Sequence, residues 1–266
     1  MPETPRAARD AQIVDNWHRL SAVYGAHVPA AVARIDQGDR AALVRDWRPF
    51  AFACLARCHY ALQSMVALHL RGTDAACLCR VLYEHVATFA WLLIDPETNY
   101  PQFLRLEMRE REKMLADSAK HVRPPSDPAA LDEMRAIMDR VVAEKPAPEL
   151  PDRAFAADRH WAAQMPEYTF CFRKCYANIW RGFSTHVHPT WMGLVSFVDI
   201  DRESIRYGIP TTPEPDFVLA LGVTLFADAL RICSFAQGWP PFEEIARAYL
   251  HELPFTDDER REFEGG

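Results

Sequence analysis

The sequence predicts an all-α fold, a helical bundle of about seven or eight helices with one small β-hairpin near residues 195–209. Three observations lead to this class. The 266 residues suffice to bury one large core, only 10 of them are glycine, and apolar side chains recur at helical spacing along most of the chain. Hydrophobic residues make up 49% and charged residues 25%, which excludes intrinsic disorder. A single helical domain is therefore predicted over residues 1–266.

Two helix patterns occupy the first 70 residues. Apolar residues recur every three or four positions over 10–35 until Pro29 interrupts the pattern. Residues 1–38 are therefore predicted to form a helical appendage at the N-terminus. The second helix is predicted to begin at Pro49, because proline suits a first helical turn, and to end near Leu70.

Three further helices are predicted before residue 145. The first of them carries a dense apolar pattern and ends at Asp95, which precedes a proline. A charged amphipathic helix follows over 100–120, and another helix is expected over 127–144. The proline-rich stretch 145–157 is predicted to be a loop.

The last third of the chain begins with a predicted helix over 168–186. The hairpin is placed where β-branched and aromatic residues flank the charged triplet 201–203. A long apolar helix follows over 216–237, and a short helix near the C-terminus completes the set. Asp228 and Arg231 interrupt the apolar helix, so the sequence favours a buried core helix there over a membrane span.

Charge and the N-terminal residues restrict the class of protein. The formal net charge of -7 argues against a dedicated nucleic-acid binder, whose domain would carry a basic excess. Residues 1–10 are polar, and no apolar stretch of the signal-peptide kind follows them. We therefore expect a cytoplasmic protein with no membrane contact.

Two Cys-x3-Cys pairs, 54/58 and 171/175, place their thiols one helical turn apart on a shared face. One interpretation is a four-thiolate metal or redox site. The favoured interpretation is small buried core residues, because free cysteine is among the most buried residue types. No CxxC pair, His-Glu-x2-His sequence or glycine-rich phosphate loop occurs, so neither a metal nor a cofactor is predicted.

Arg80 and Glu84 are polar residues inside an otherwise apolar helix pattern. Since they are four residues apart, they share one side of the helix. Buried polar groups need partners, so the two residues are expected either to form an ion pair that fixes a helix contact or to line a pocket. The structural interpretation is favoured.

The segment 181–188 ends a predicted helix with hydroxyl, imidazole and guanidinium groups. Arg181 precedes His186 by five residues and His188 by seven. Arginine can stabilise negative charge on a phosphate, and histidine, which titrates near neutral pH, can move the proton of a ribose 2′-hydroxyl. Arg181, His186 and His188 are therefore the catalytic candidates. Ser184 is expected to bond to its own helix backbone.

This Arg–His spacing resembles that of the metal-independent ribonucleases of the HEPN superfamily. The resemblance implies RNA cleavage by Arg181 with His186 or His188 in a helical bundle that works as a homo-oligomer. A function in a toxin or defence system would follow from it.

A second set of residues resembles the residue pattern of a large bacterial family classed as domain of unknown function 5677. The resemblance covers roughly residues 39–236 and implies an all-helical fold with a polar pocket in which His188, not His186, is the relevant histidine. It rests on Arg80, Glu84, Asp95, Pro96, Tyr176, Ser184, His188 and Pro189.

Three functions remain open on the sequence. One is a HEPN-like ribonuclease acting on RNA. The alternative is a non-catalytic protein that binds a small-molecule ligand or a partner in the pocket of Arg80, Glu84, Ser184 and Tyr176. The third is a structural module whose polar cluster only fixes the register of the helices.

Overall fold

The structure is a computed structural model. The residues it describes are 5–33, 46–68, 72–121, 132, 136, 139, 145–166, 170, 172–181, 183–184, 198–200, 205–207 and 215–238.

Seven α-helices lie within these residues and confirm the all-α bundle. They are α1 (Pro5–Val32), α2 (Trp47–Ala67), α3 (Gly72–Leu92), α4 (Pro96–His121), α5 (Leu150–Gln164), α6 (Phe172–Cys175) and α7 (Pro215–Gln237). A π-helical turn, Tyr176–Arg181, continues directly from α6 and is called the π turn below. Strands β1 (Val198–Ile200) and β2 (Ile205–Tyr207) pair antiparallel, with Val198 opposite Tyr207. The helix predicted over 127–144 lies almost entirely outside the described residues.

Helix α3 is the centre of the bundle. It contacts α2, α4, α5, α7 and the π turn. Both small and large apolar side chains are buried along it, among them Ala76, Cys79, Leu82, Val86 and Phe89. Because almost every side of α3 meets another helix, its sequence reads as a continuous apolar pattern rather than as one amphipathic stripe.

Helix α1 packs against the core of the bundle, and whether residues 1–38 unfold as a separate appendage stays a prediction. Ile13, Trp17 and Leu20 are buried against the main cluster, and α1 contacts α7 and α2. Pro29 does not end the helix, which continues to Val32. Proline removes one backbone donor and crowds the carbonyl four residues earlier, and this loss close to the helix end is tolerated here.

The start of α2 is fixed by Asp46 rather than at Pro49. The Asp46 carboxylate accepts from the backbone N–H of Arg48 at 3.0 Å and from its guanidinium at 2.7–3.0 Å. An aspartate at this position satisfies a donor that the first turn leaves free. Helix α2 therefore begins at Trp47 and ends at Ala67, three residues before the predicted end.

The proline-rich loop predicted over 145–157 is limited to residues 145–149, because α5 begins at Leu150. Pro151 falls in the first turn of α5, where a missing N–H costs nothing. The short loop is held against α4 by the Ala147 N–H, which donates to the Gln102 carbonyl over 2.8 Å. The prolines therefore predicted a longer loop than the structure has, because the helix begins at Leu150.

Helix α7 is long and apolar enough to cross a membrane, but 89% of its apolar window is buried inside the bundle. It contacts α1, α2 and α3. Gly222 leaves room for the Met65 side chain of α2, because a Cβ there would lie 2.6 Å from the Met65 methyl group. Burial among helices is typical of a core helix in a soluble protein, which is the interpretation that the sequence favoured.

Candidate functional site

Three polar residues, Arg80, Glu84 and Thr88, follow one another on a single side of α3 and are called the α3 polar stripe. They share that side because residues four apart lie one helical turn above each other. Arg80 and Glu84 are half-buried and Thr88 is buried. The stripe lies where α3 meets the π turn at one end and α5 at the other, as the contacts of Arg80 and Thr88 establish.

At the first end of the stripe, Arg80 lies against the aromatic side chains of the π turn. Its guanidinium carbon is 4.9 Å from the centroid of the Trp180 ring. Tyr176 stacks on the same indole, with ring centroids 5.1 Å apart and planes inclined by 13°. A guanidinium over tryptophan is attracted by about 0.5–2 kcal/mol. Arg80 and Tyr176, two residues of the predicted pocket, thus share a contact with Trp180.

The predicted ion pair between Arg80 and Glu84 is not formed. Within the part of the chain that the structure describes, no ion pair includes either side chain. The Nε of Arg80 and the Nε1 of Trp180 are both buried and have no hydrogen-bond partner among the described residues. The pair fails because the Arg80 guanidinium lies on the indole. Two neighbouring N–H donors are left turned away from water.

At the other end of the stripe, Arg153 reaches α3 from α5. Its side chain is buried, with 7% of the residue exposed, and Nη1 donates to the Thr88 hydroxyl over 2.8 Å. The Arg153 Nε has no hydrogen-bond partner in the described ranges. Burial lowers the Arg153 pKa, while the negative charges of Glu84, Glu107 and Glu149 raise it. Glu84 thus acts on Arg153 through its field and not through an ion pair.

Helix α6 and the π turn are anchored to the two neighbouring helices. The Asp158 carboxylate accepts from the backbone N–H groups of Phe172 and Arg173 at 2.7 and 2.8 Å. The Tyr83 hydroxyl of α3 donates to the Phe172 carbonyl over 2.7 Å. Burial raises the Asp158 pKa, although the two N–H donors lower it. These bonds fix where the π turn begins and hence where Trp180 lies.

The predicted catalytic segment is described only in part. Arg181 is exposed at the end of the π turn, one residue after Trp180. Ser184 donates its hydroxyl to the Trp180 carbonyl, which confirms its expected bond to the helix backbone. His186 and His188 lie outside the described residues. Within the predicted helix over 168–186, the described residues form α6, the π turn and two further helical residues at 183–184, whereas Phe170 is not helical.

The cysteines behave as core residues. Cys54, Cys58 and Cys175 are buried, and Cys171 lies outside the described residues. Burial raises the pKa of the Cys54 thiol to about 12 and that of the Cys58 thiol well above its usual value, so both stay protonated at neutral pH. No group of three or more His, Cys, Asp or Glu side chains in the described ranges is placed to hold a metal ion.

Sequence reasoning missed Arg153, Thr88 and Asp158. Arg153 did carry a signal, because it lies between apolar residues at helical spacing and therefore at a core position of α5. Thr88 and Asp158 carried none, since their importance comes from contacts with residues 65 and 14 positions away.

Comparison with known proteins gives one family match. The model of a family described as "Family of unknown function (DUF5677)" matches residues 50–205, a span that includes the α3 polar stripe, α5 and the π turn. No curated protein and no solved structure matches the chain. The similarity to HEPN-type ribonucleases is not shown by these comparisons and stays a prediction.

Proposed function

The chain belongs to the DUF5677 family, and from the site within the matched span we propose that it binds an anionic ligand at the edge of the contact between Arg80 and Trp180. The ligand contributes a phosphate or carboxylate group to the α3 polar stripe where that stripe meets the π turn. In this proposal the protein is cytoplasmic, and α7 stays inside the bundle rather than entering a membrane.

The observation that carries the proposal is the pair of neighbouring buried donors. Arg80 Nε and Trp180 Nε1 have no acceptor among the described residues, and their side chains are in contact. A buried donor without a partner costs about 1–3 kcal/mol. A ligand oxygen that accepts from both N–H groups would recover that cost on binding.

An anion fits this position better than a neutral acceptor does. Arg80 carries a full charge, and no carboxylate of the described residues forms an ion pair with it. Guanidinium groups bind carboxylates and phosphates through two parallel hydrogen bonds, which are stronger than neutral ones. The contacts of Trp180 with Tyr176 and with Arg80 restrict the positions of both donors before any ligand arrives.

The test is calorimetric titration of the purified protein with phosphate esters and short carboxylates. Trp180→Phe keeps the aromatic face but removes the N–H donor, and we expect about tenfold weaker binding. Arg80→Met also removes the charge, and we expect at least about a hundredfold loss. Arg57→Met on the exposed face of α2 is the matched control and should bind as the wild type does. Equal affinities in all four proteins, or no binding of any probe, would contradict the proposal.

A second candidate is metal-independent cleavage of RNA by a homodimer in a toxin or defence system. The observation that favours it is the exposed Arg181, which directly follows Trp180 and can reach a solvent-accessible phosphate. Arg181 would stabilise the charge on that phosphate, and His186 or His188 would transfer the 2′-hydroxyl proton.

Labelled RNA incubated in EDTA with wild type, Arg181→Ala, His186→Ala and His188→Ala tests this candidate. We expect cleavage to be lost in Arg181→Ala and in one histidine variant. Cleavage no greater than in a mock purification would exclude the enzyme on those RNAs and leave the binding proposal untouched.

A further inference from the structure

Arg153 is a buried cation whose charge is not neutralised by direct contact with any described residue. Among the described residues its guanidinium makes one hydrogen bond, to Thr88, and joins no ion pair, and its Nε has no partner. Removing an arginine charge from water costs several kcal/mol unless a close opposite charge compensates it. This free-energy cost is lowered only through the negative electrostatic fields of Glu84, Glu107 and Glu149.

The two arginines meet α3 at opposite ends of the same stripe. Arg80 belongs to the stripe itself, and Arg153 contacts it at Thr88, eight residues further along. Eight residues of α-helix advance about 12 Å. Glu84 lies midway between the two contact points, and its carboxylate repels anions there.

We infer that the ligand carries two anionic groups, one held by Arg80 with Trp180 and the second by Arg153. This inference rests on the proposed function and specifies its ligand class. The two groups are phosphates or carboxylates joined by a segment that is long enough to span about two turns of α3 and that is neutral or donates hydrogen bonds to Glu84. A ligand of this form neutralises both guanidinium groups and leaves no negative charge next to Glu84.

A series of linear molecules with an anion at each end serves as a molecular ruler. The α,ω-dicarboxylates and α,ω-bisphosphates of increasing methylene number are titrated into the full chain by calorimetry. Affinity should rise by about a hundredfold from the shortest member to the member that spans both arginines, because the second contact becomes intramolecular. The series with the higher affinity identifies the headgroup as phosphate or carboxylate.

Arg153→Met removes the second contact and should abolish the dependence on length, so that every member binds as a single anion does. Arg153→Lys keeps the charge and should restore part of the dependence. In the absence of ligand, Arg153→Met should raise the free energy of unfolding, since it removes a buried charge that no described residue neutralises by contact.

The two proposals fail in different ways. Binding of single anions that depends on Arg80, with no effect of length in the wild type, would overturn the two-anion ligand alone. A length dependence that Arg153→Met retains in full would overturn the assignment to Arg153. Failure of every anion to bind would overturn both proposals.

Discussion

The indole N–H of Trp161 donates to the Ala90 carbonyl over 2.9 Å, close to the C-terminal end of α3. One residue later, the Trp91 carbonyl accepts from the Asn99 side chain over 2.8 Å. The last carbonyls of a helix have no partner within the helix and need one elsewhere when they are buried. Single side chains of α5 and α4 therefore tie the end of the central helix to its neighbours.

Asp228 is a second residue whose surroundings determine its chemistry. It lies on α7, is 5% exposed, and accepts a hydrogen bond from Arg231 over 2.8 Å. Burial raises the Asp228 pKa to about 7, and the negative charge of Asp158 adds to the rise, although Arg231 lowers it. Around neutral pH the folded protein therefore binds a proton here that an unfolded chain has already released.

We predict that Asp228 makes the free energy of unfolding fall as the pH rises from about 4 to about 7. In that window the folded state holds the proton and the unfolded state does not. Asp228→Asn cannot titrate. The difference in unfolding free energy, wild type minus variant, should decline across the window and level above it. Urea unfolding at closely spaced pH values measures this difference.

The subtraction matters because His59 acts in the opposite direction. Burial lowers the His59 pKa, so its contribution to stability rises with pH up to the ordinary histidine range. Wild type and Asp228→Asn share this contribution, and it cancels. A difference profile that stays flat from pH 4 to pH 8 would mean that Asp228 titrates like an exposed carboxylate.

At the scale of elements, α6 is the piece least able to hold itself in place. It has four α-helical residues before the backbone widens into the π turn. Asp158 of α5 and Tyr83 of α3 supply bonds that a helix this short does not provide internally. A π-helical turn is often found at functional sites, and here it carries Trp180 and Arg181.

Asp158→Ala should loosen this element specifically. The variant leaves the N–H groups of Phe172 and Arg173 without their acceptor, and we expect a loss of about 1–2 kcal/mol, as for a deleted helix cap. Hydrogen exchange followed by mass spectrometry should show faster exchange over residues 172–181, with α7 little affected. Ligand binding should weaken as Trp180 loses its fixed position.

Arg159→Ala, on the neighbouring exposed position of α5, is the control and should exchange as the wild type does. Unchanged exchange over 172–181 in Asp158→Ala would show that Tyr83 and the packing of Phe172 alone position the π turn.

At the scale of the whole molecule, local patterns predicted which segments are helices but not which of them meet. The spacing of Ile13, Trp17 and Leu20 predicted the apolar face of α1, yet α7, which covers it, lies about 200 residues later in the chain. The spacing of Arg80 and Glu84 likewise predicted a shared side of α3. Neither spacing identified Trp180 as the partner of Arg80, because that contact depends on how the π turn packs against α3.

The spacing of apolar residues also does not show whether α1 and the rest of the bundle unfold together or separately. Leu20 is fully buried against the main core. A Leu→Ala change at such a site costs about 3 kcal/mol. If α1 folds with the bundle, Leu20→Ala and Leu82→Ala of α3 should both shift one common unfolding transition, followed by circular dichroism and by tryptophan fluorescence.

Arg19→Ala changes an exposed ion pair on α1 and should leave the transition within about 0.5 kcal/mol of the wild type. Two separate transitions, with Leu20→Ala affecting only the weaker, would instead make α1 an appendage that unfolds on its own.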